Sequence, residues 1–544
     1  MTTAPVNIAA ALPAMAAQQP DALAIAWPDG KGGFEERTYR ELDEDSGRLA
    51  AALTTYGIGR GTRTVLMVPP GRDLFALVFA LFKAGAVPVL VDPGMGIKSL
   101  KTCLAEAEPD AFIGIPKAHI ARKILGWAKG ATKYVTAGPR LFWGGTTTAK
   151  LRKQATEILP PQDMGADEMA AILFTSGSTG IPKGAVYTHG NFLAQVDQLR
   201  TAYDIRPGEV DLPTFPLFAL FDPALGMSAI IPEMDPTRPA HVDPTKILAA
   251  VERYDVTNMF GSPALLHRVG AYGAKHGTQM PTMKRVVSAG APVPASTIET
   301  FTRMLPKGAQ VHTPYGATES LPVSTIGSDE ILGETGAQAA RGKGVCVGRP
   351  VPGIEARIIG IDDGAIPRWD DERELAIGEI GEIVVRGPVV TKRYYGRREA
   401  TNLAKIQDEG ETFWHRMGDV GYWDDEGRIW FCGRKAHRVQ LANETLFTVP
   451  CEGVFNAHED VYRTALVGVK RDGVMTPVLC VERHKGRGAD LQRLEQELRN
   501  MGGSHAVTAG IGTFLFHDDF PVDIRHNAKI FREKLAVWAA EQLA

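Results

Sequence analysis

The sequence predicts an α/β protein: a large N-terminal domain of layered parallel sheets with helices plus a β-rich subdomain, followed by a small α+β domain. Three observations carry this expectation. Short apolar runs alternate with amphipathic stretches at intervals that suit βαβ units as far as Glu319. Past Gly344 the segments become short and glycine-punctuated, as in Gly378-Glu-Ile-Gly-Glu-Ile-Val-Val-Arg386. After Gly433 a separate set of strand and helix signals begins. With 544 residues the chain also exceeds what one hydrophobic core accommodates.

The elements follow in order. Thr38-Tyr-Arg-Glu41 has the form of a capping box, and Leu42, Leu49 and Leu53 then recur at helical spacing. Arg63 to Val68 reads as a buried strand closed by Pro69-Pro-Gly71, a helix spans about Asp73 to Ala84, and Ala86 to Val91 is the next strand, ending in Asp92-Pro-Gly94. Leu74 to Phe82 is the most lipid-like run. Lys83 interrupts it well short of the ~20 residues a bilayer requires, so a buried helix is expected. Strands recur at Asp110 to Ile115 and Ala170 to Thr175, and residues 140 to 165 read as connection.

Composition excludes several function classes. A hydrophobic share of 44%, a charged share of 23% and a formal net charge of -3 are ordinary for a globular protein, and basic residues read as scattered among acidic ones, which argues against nucleic acid. Five cysteines, an odd count without a C-x-x-C pair, fit reduced thiols in a cytoplasmic protein and supply no zinc site. Ile8 to Ala17 is apolar but follows no basic residue, so no signal peptide is expected, nor any transmembrane segment.

The strand ending at Thr175 delivers the chain into Thr175-Ser-Gly-Ser-Thr-Gly-Ile-Pro-Lys-Gly184. Backbone N–H groups and hydroxyls at Thr175, Ser176, Gly177, Ser178, Thr179 and Gly180 suit an anion, and Lys183 supplies a full charge. The spacing is not that of a Walker A motif, so the loop reads as a different phosphate grip. Three further strands empty into small residues: Val256 to Pro263 through Gly261, Arg285 to Pro292 through Gly290, Ala291 and Pro292, and Val311 to Glu319 through Tyr315, Gly316 and Thr318. If these loops converge they wall one pocket, with Tyr315 against a planar ring, Thr318 on a phosphate oxygen and Glu319 on a hard cation. Asp419 precedes a hairpin whose turn is Asp424-Asp-Glu-Gly427, and its two oxygens suit a ribose diol. At this level Glu319 is equally a solvated loop acid, Asp419 a turn former, and Lys529, near the first turn of a last helix bearing Phe531, Leu535 and Trp538, a solvated lysine.

Taken together, Thr175 to Gly184, Tyr315-Gly-Ala-Thr-Glu319, Gly418-Asp419, Gly433-Arg434 and the late Lys529 resemble the adenylate-forming superfamily of acyl-CoA synthetases, luciferases and peptide-synthetase adenylation domains. The resemblance implies an N-terminal adenylating domain over residues 1–433 with the ATP and acyl pockets, and a mobile C-terminal domain over 434–544. It implies ATP and Mg2+ as cofactors, a pyrophosphate role for the first loop, metal binding by Glu319, ribose binding by Asp419, and catalytic roles for Lys183, Arg434 and Lys529. Phe218, Leu220, Phe221 and Gly261 sketch the acyl pocket and are equally ordinary core.

Departures from the family pattern bear on the second half-reaction. Ala436 stands where a hinge Asp or Lys is usual, His437 to Leu446 lacks the glycine of thioester-forming members, Asn527-Ala-Lys-Ile530 replaces Ser-Gly-Lys-Ile, and Pro216-Leu-Phe-Ala219 replaces Pro-Leu-Phe-His. With Arg525 to Leu535 added, the chain resembles the OleC-type β-lactone synthetases of long-chain olefin biosynthesis. That resemblance implies a 2-alkyl-3-hydroxy fatty acid substrate whose own hydroxyl displaces AMP, with other enzymes of the olefin pathway as partners. A long-chain fatty acyl-CoA ligase and a non-catalytic nucleotide-binding protein are the alternatives. His312 and His526 are candidates for the base that takes the hydroxyl proton, although a structural histidine is the commoner reading of either.

Overall fold

Two seven-stranded sheets carry most of the N-terminal domain. The computed structural model describes residues 6–91, 95–174, 182–485, 490–522 and 529–544. In the first sheet the order is Thr146–Thr147, Lys133–Thr136, Ala111–Gly114, Arg63–Met67, Val87–Leu90, Met169–Phe174, Gly184–Thr188, parallel except for the last pair. In the second it is Gln310–His312, Arg285–Val287, Asn258–Phe260, Val210–Pro213, Ser228–Ile230, Leu23–Pro28, Phe34–Thr38, again antiparallel only at the last pair. Parallel strands have to be joined by crossovers, and the helices between them fill both sheet faces.

The local grammar of the sequence is realised at several points. Thr38 Oγ1 accepts the Glu41 N–H at 3.2 Å while the Glu41 carboxylate accepts the Thr38 N–H at 2.9 Å, which starts the helix Tyr39–Tyr56. The lipid-like run is the helix Arg72–Lys83, with every residue from Leu74 to Lys83 buried. Lys83 ends it inside the protein, donating from Nζ to Asp43 Oδ1 at 2.6 Å and to Asp43 O at 2.7 Å. Among the described residues no helix is long and apolar enough to cross a membrane. All five cysteines are buried and free.

Two segments differ from expectation. The region 140 to 165 contains the edge strand Thr146–Thr147 and the helix Thr148–Gln154. Arg152 on that helix reaches Asp45 at 2.7 Å and Asp73 at 2.6 Å, so the segment ties helices together. Strands Leu23–Pro28 and Phe34–Thr38 carry no strong sequence signal. The first pairs in parallel with Ser228–Ile230, about two hundred positions later, and nothing local announces such a partner.

A third sheet of eight strands, antiparallel throughout, forms the β-rich subdomain. Its hairpin pairs Phe413–Trp423 with Ile429–Arg434, and the turn is pinned by Asp424 Oδ1, which accepts the N–H groups of Glu426 and Arg428 at 3.0 and 2.8 Å. The register sets Asp419 opposite Arg434.

The small C-terminal domain contains the sheet Val461–Arg471, Val474–Arg483, Thr513–Phe516, with the helices Leu491–Gly503 and Arg532–Gln542. On the last helix Leu535 and Ala539 are buried, Trp538 is half-buried, and Phe531 sits at the N-cap position. The helix Thr448–Phe455 seats this domain against residues 339–343, where a Cβ on Gly453 would lie 2.5 Å from Ala339 O.

Candidate active site

A cavity of about 2270 Å³ opens where the strands of both parallel sheets end, bounded by the β-rich subdomain and the C-terminal domain. Its wall includes Lys183, Gly290, Ala291, Pro292, Tyr315, Gly316, Thr318, Glu319, Asp419, Arg434 and Lys529. Phe218, Leu220 and Phe221 line it too. Gly261 does not. Its N–H donates to Val287 O at 3.0 Å and a Cβ there would meet Leu266 Cδ1 at 2.5 Å, so it faces the following helix while its neighbours Phe260 and Ser262 meet the cavity. Thr175, Ser176, Gly177, Ser178, Thr179 and Gly180 lie outside the described residues, as does His526.

Hairpin register builds the first cluster. Asp419 is buried, and its Oδ2 accepts the Tyr315 hydroxyl at 2.7 Å. Arg434 Nη1 lies 3.0 Å from Asp419 Oδ1 but donates its hydrogen bond to Met417 O at 3.2 Å, which leaves Oδ1 a buried acceptor without a hydrogen bond. Burial raises the Asp419 carboxyl pKa, and the charges of Arg434 and Lys529 and the Tyr315 hydroxyl oppose that rise. An orphaned acceptor of this kind suits a diol hydroxyl from a nucleotide ribose. The Tyr315 ring, 5.9 Å from that of Phe431, supplies an aromatic surface beside it.

The second cluster surrounds Glu319. Residues 393–395 run along the edge of the strand Gly184–Thr188, with Val186 N–H donating to Arg393 O at 3.1 Å and Tyr395 N–H to Gly184 O at 2.7 Å. This pairing puts the Tyr394 ring 5.0 Å beneath Lys183 Nζ, and the Tyr394 hydroxyl donates to Glu319 Oε1 at 2.6 Å. Burial and the Glu319 charge push the Tyr394 hydroxyl well above its ordinary range. Lys405 donates to Thr391 O behind this group, and burial lowers its ammonium to about 7. The loop bearing Thr318 and Glu319 is held from the other side: Tyr187 donates to Thr318 O, and Gln195 Nε2 donates to Leu321 O at 2.8 Å.

Tyr394, Tyr187, Gln195 and Lys405 were not legible as site residues. Tyr394 had a weak local signal, an aromatic pair between Pro388 and Gly396, and the others had none. His415 also lines the cavity. Its Nδ1 is 3.1 Å from Ala404 O, and burial with the charges of Lys405 and Lys183 lowers its pKa well below the ordinary histidine value. His312 packs edge-on against Tyr203 at 5.4 Å and is absent from the cavity wall, which favours a structural role.

Among the described residues no cluster of three or more His, Cys, Asp or Glu side chains is set to cage a metal. Glu319 offers one hard carboxylate at the cavity wall. That donor set fits Mg2+ arriving with nucleotide phosphates, which keeps most of its ligands from phosphate and water.

The family model described as AMP-binding enzyme matches residues 12–395. The chain belongs to the AMP-binding enzyme family. As a member it is an ATP-dependent, AMP-forming enzyme, and the cavity just described is where its loops meet. The chain is 53% identical to an olefin β-lactone synthetase of Xanthomonas campestris pv. campestris, with 98% of each chain covered, and 52% identical to one of Stenotrophomonas maltophilia, with 99% of each covered. A feruloyl-CoA synthase of Amycolatopsis sp is 30% identical over 79% of this chain and 80% of its own. The AMP-binding fold also appears in the crystal structure of ATP-bound MatB from Rhodopseudomonas palustris, at a TM-score of 0.81 and 24% identity, covering 99% of this chain and 100% of that one.

Proposed function

We propose that this chain is an olefin β-lactone synthetase. It adenylates a long-chain 2-alkyl-3-hydroxy fatty acid with ATP and closes a β-lactone by attack of the substrate's own 3-hydroxyl, releasing AMP and pyrophosphate. The observation that carries this reading is the 52–53% identity, over nearly full length, to two olefin β-lactone synthetases. The feruloyl-CoA synthase named above stands much further off, at 30% identity, which agrees with the altered segment after Arg434.

In the first half-reaction a carboxylate oxygen attacks the α-phosphorus and pyrophosphate leaves. Both reactants are anionic, so the residues proposed for catalysis are cations: Lys183 and the loop Thr175 to Gly180 on the pyrophosphate, Lys529 on the attacking carboxylate and α-phosphate, and Arg434 beside Asp419. Asp419 holds the ribose diol, Tyr315 and the backbone of Gly290, Ala291, Pro292 and Gly316 bound the base, and Thr318 meets a phosphate oxygen. Glu319 would hold Mg2+, which supplies charge neutralisation at the phosphates when bound.

In the second half-reaction the 3-hydroxyl oxygen bonds to the acyl carbon, the carbon–phosphate oxygen bond breaks, AMP departs with that electron pair, and the hydroxyl proton passes to water. Nucleophile and electrophile belong to one molecule, so no second substrate has to be ordered. Phe218, Leu220 and Phe221 bend the chain into that conformation. Residues 434–544 act as a mobile domain that brings Lys529 to the N-terminal domain of residues 1–433. The enzyme works in the cytoplasm beside the enzymes that supply the hydroxy acid and consume the lactone.

The test is product analysis with ATP, Mg2+ and a long-chain 2-alkyl-3-hydroxy acid, with and without coenzyme A. A β-lactone and AMP at equal rates in both reactions are expected. Thioester formation in the presence of coenzyme A would instead assign a fatty acyl-CoA ligase.

A further inference from the structure

One helix joins the cavity to an apolar, basic surface. The helix Pro116–Leu125 presents Ala118 and Ala121 to the cavity, with Lys117 at the rim and Trp127 just beyond the helix end. Its outer side carries Ile120 and Ile124, one turn apart and 37% and 77% exposed. The loop after the strand Lys133–Thr136 comes back over the same helix because Trp143 stacks on His119, with centroids 5.1 Å apart and planes 4° apart. That contact brings Leu141 and Phe142 to the surface, 53% and 73% exposed, with Lys123 Nζ 5.6 Å from the Phe142 ring. Four large apolar side chains thus stand in solvent around one helix.

The charge around them is one-sided. From Ala111 to Thr156 the chain carries nine Lys and Arg residues and no Asp or Glu, in a protein whose formal net charge is -3; of the nine, Arg122 is buried and Arg152 is paired with Asp45 and Asp73, so neither adds to the patch. The expectation that basic residues are scattered among acidic ones fails over this stretch. Lys117, Lys123, Lys129 and Arg140 are exposed at the patch, and Lys129 lies over Gly126 at the end of the helix. Exposed Ile and Phe within a rim of long cationic side chains match an anionic lipid surface, where the apolar groups enter the acyl boundary and the ammonium groups reach the head groups.

We propose that this face docks the enzyme on an anionic membrane leaflet, and that its long-chain acid passes from the lipid to the cavity along the helix Pro116–Leu125. The lipid nature of the cargo rests on the function proposed above. An acidic protein would satisfy the cations but gives no reason for the same helix to wall the cavity, whereas a leaflet accounts for both.

The experiment is co-sedimentation of the full chain with phosphatidylglycerol-rich and with pure phosphatidylcholine vesicles, comparing wild type with the double variant Ile124→Asp, Phe142→Asp and with Lys123→Glu. Wild type should bind the anionic vesicles at least about tenfold more tightly than the neutral ones, and the variants should lose about tenfold. Turnover of a short-chain 3-hydroxy acid in free solution should be unchanged in the double variant, while turnover of a vesicle-borne long-chain acid should fall about tenfold. Equal vesicle binding by wild type and double variant, or no binding by either, would overturn the proposal. So would a concentration-dependent oligomer that the double variant disperses, since a second copy would then cover the face. Sedimentation needs no turnover, so a failure of the proposed reaction is read separately.

Discussion

At the scale of single residues, the centre depends on which oxygen of Asp419 remains available. Tyr315 donates to Oδ2, and Oδ1, ion-paired with Arg434 at 3.0 Å, is the buried acceptor left without a hydrogen bond. Asp419→Asn removes the negative charge without changing shape. It is expected to raise the KM for ATP by roughly ten- to a hundredfold, the worth of a hydrogen bond to a charged group, measured by ATP–pyrophosphate exchange with the acid saturating. Lys529→Ala is expected to lower the exchange rate by about 10²- to 10³-fold, as removal of a charge-stabilising donor does. Lys529 precedes the last helix, so its thermal midpoint should stay within a few degrees of wild type. A variant that still consumed ATP at the wild-type rate would remove Lys529 from the mechanism.

At the scale of elements, the helix His189–Tyr203 decides how the Glu319 loop is held. Thr188 and Asn191 cap it reciprocally, and the capped helix carries Gln195 to Leu321 O. Its first residue, His189, is buried; Nδ1 accepts the Ile8 N–H at 3.3 Å, and desolvation lowers the pKa to about 4. A neutral ring is therefore required in the folded protein, whereas the unfolded chain takes up a proton near the ordinary histidine value of about 6.5. Stability from this group is complete above that value and is lost as pH falls toward 4, by about 3 kcal/mol at most. His189→Gln should be less stable than wild type at pH 7 yet lose less between pH 6.5 and 4, as urea denaturation across that range will reveal. A parallel fall in both proteins would place the acid sensitivity elsewhere.

At the scale of the whole molecule, residues of both domains line one cavity, and on the function proposed above the seat between the domains sets how closely Lys529 approaches. Gly453 lies against Ala339 O, and Lys435 reaches back to Glu382 at 3.1 Å and Arg438 to Asp363 at 2.6 Å. Gly453→Val should push the C-terminal domain off this seat. Adenylation is expected to fall about a hundredfold, the order of loss a displacement of roughly 1 Å produces, while equilibrium binding of AMP to the N-terminal domain should change little. Loss of both in parallel would mean that the variant disrupts the N-terminal domain itself.

Much of the architecture was legible in the sequence because its signals are local. The Thr38–Glu41 capping box, the Asp424 turn and the buried runs from Arg63 and from Ala170 depend on neighbours a few residues away, and each formed close to where it was expected. The loops that end in Tyr315 to Glu319 and in Gly290 to Pro292 were legible as candidates for the same reason. Their company was not. Tyr394 joins Lys183 to Glu319 only because residues 393–395 pair along the edge of Gly184–Thr188, and Asp419 meets Arg434 only through hairpin register. Gly261 turned toward Leu266, and Ile120 and Ile124 turned outward, because packing of whole helices sets those directions. The sequence by itself offered the family's chemical groups and the order of most of its elements; tertiary structure alone decided which groups meet, since those contacts are set by register and packing rather than by neighbours along the chain.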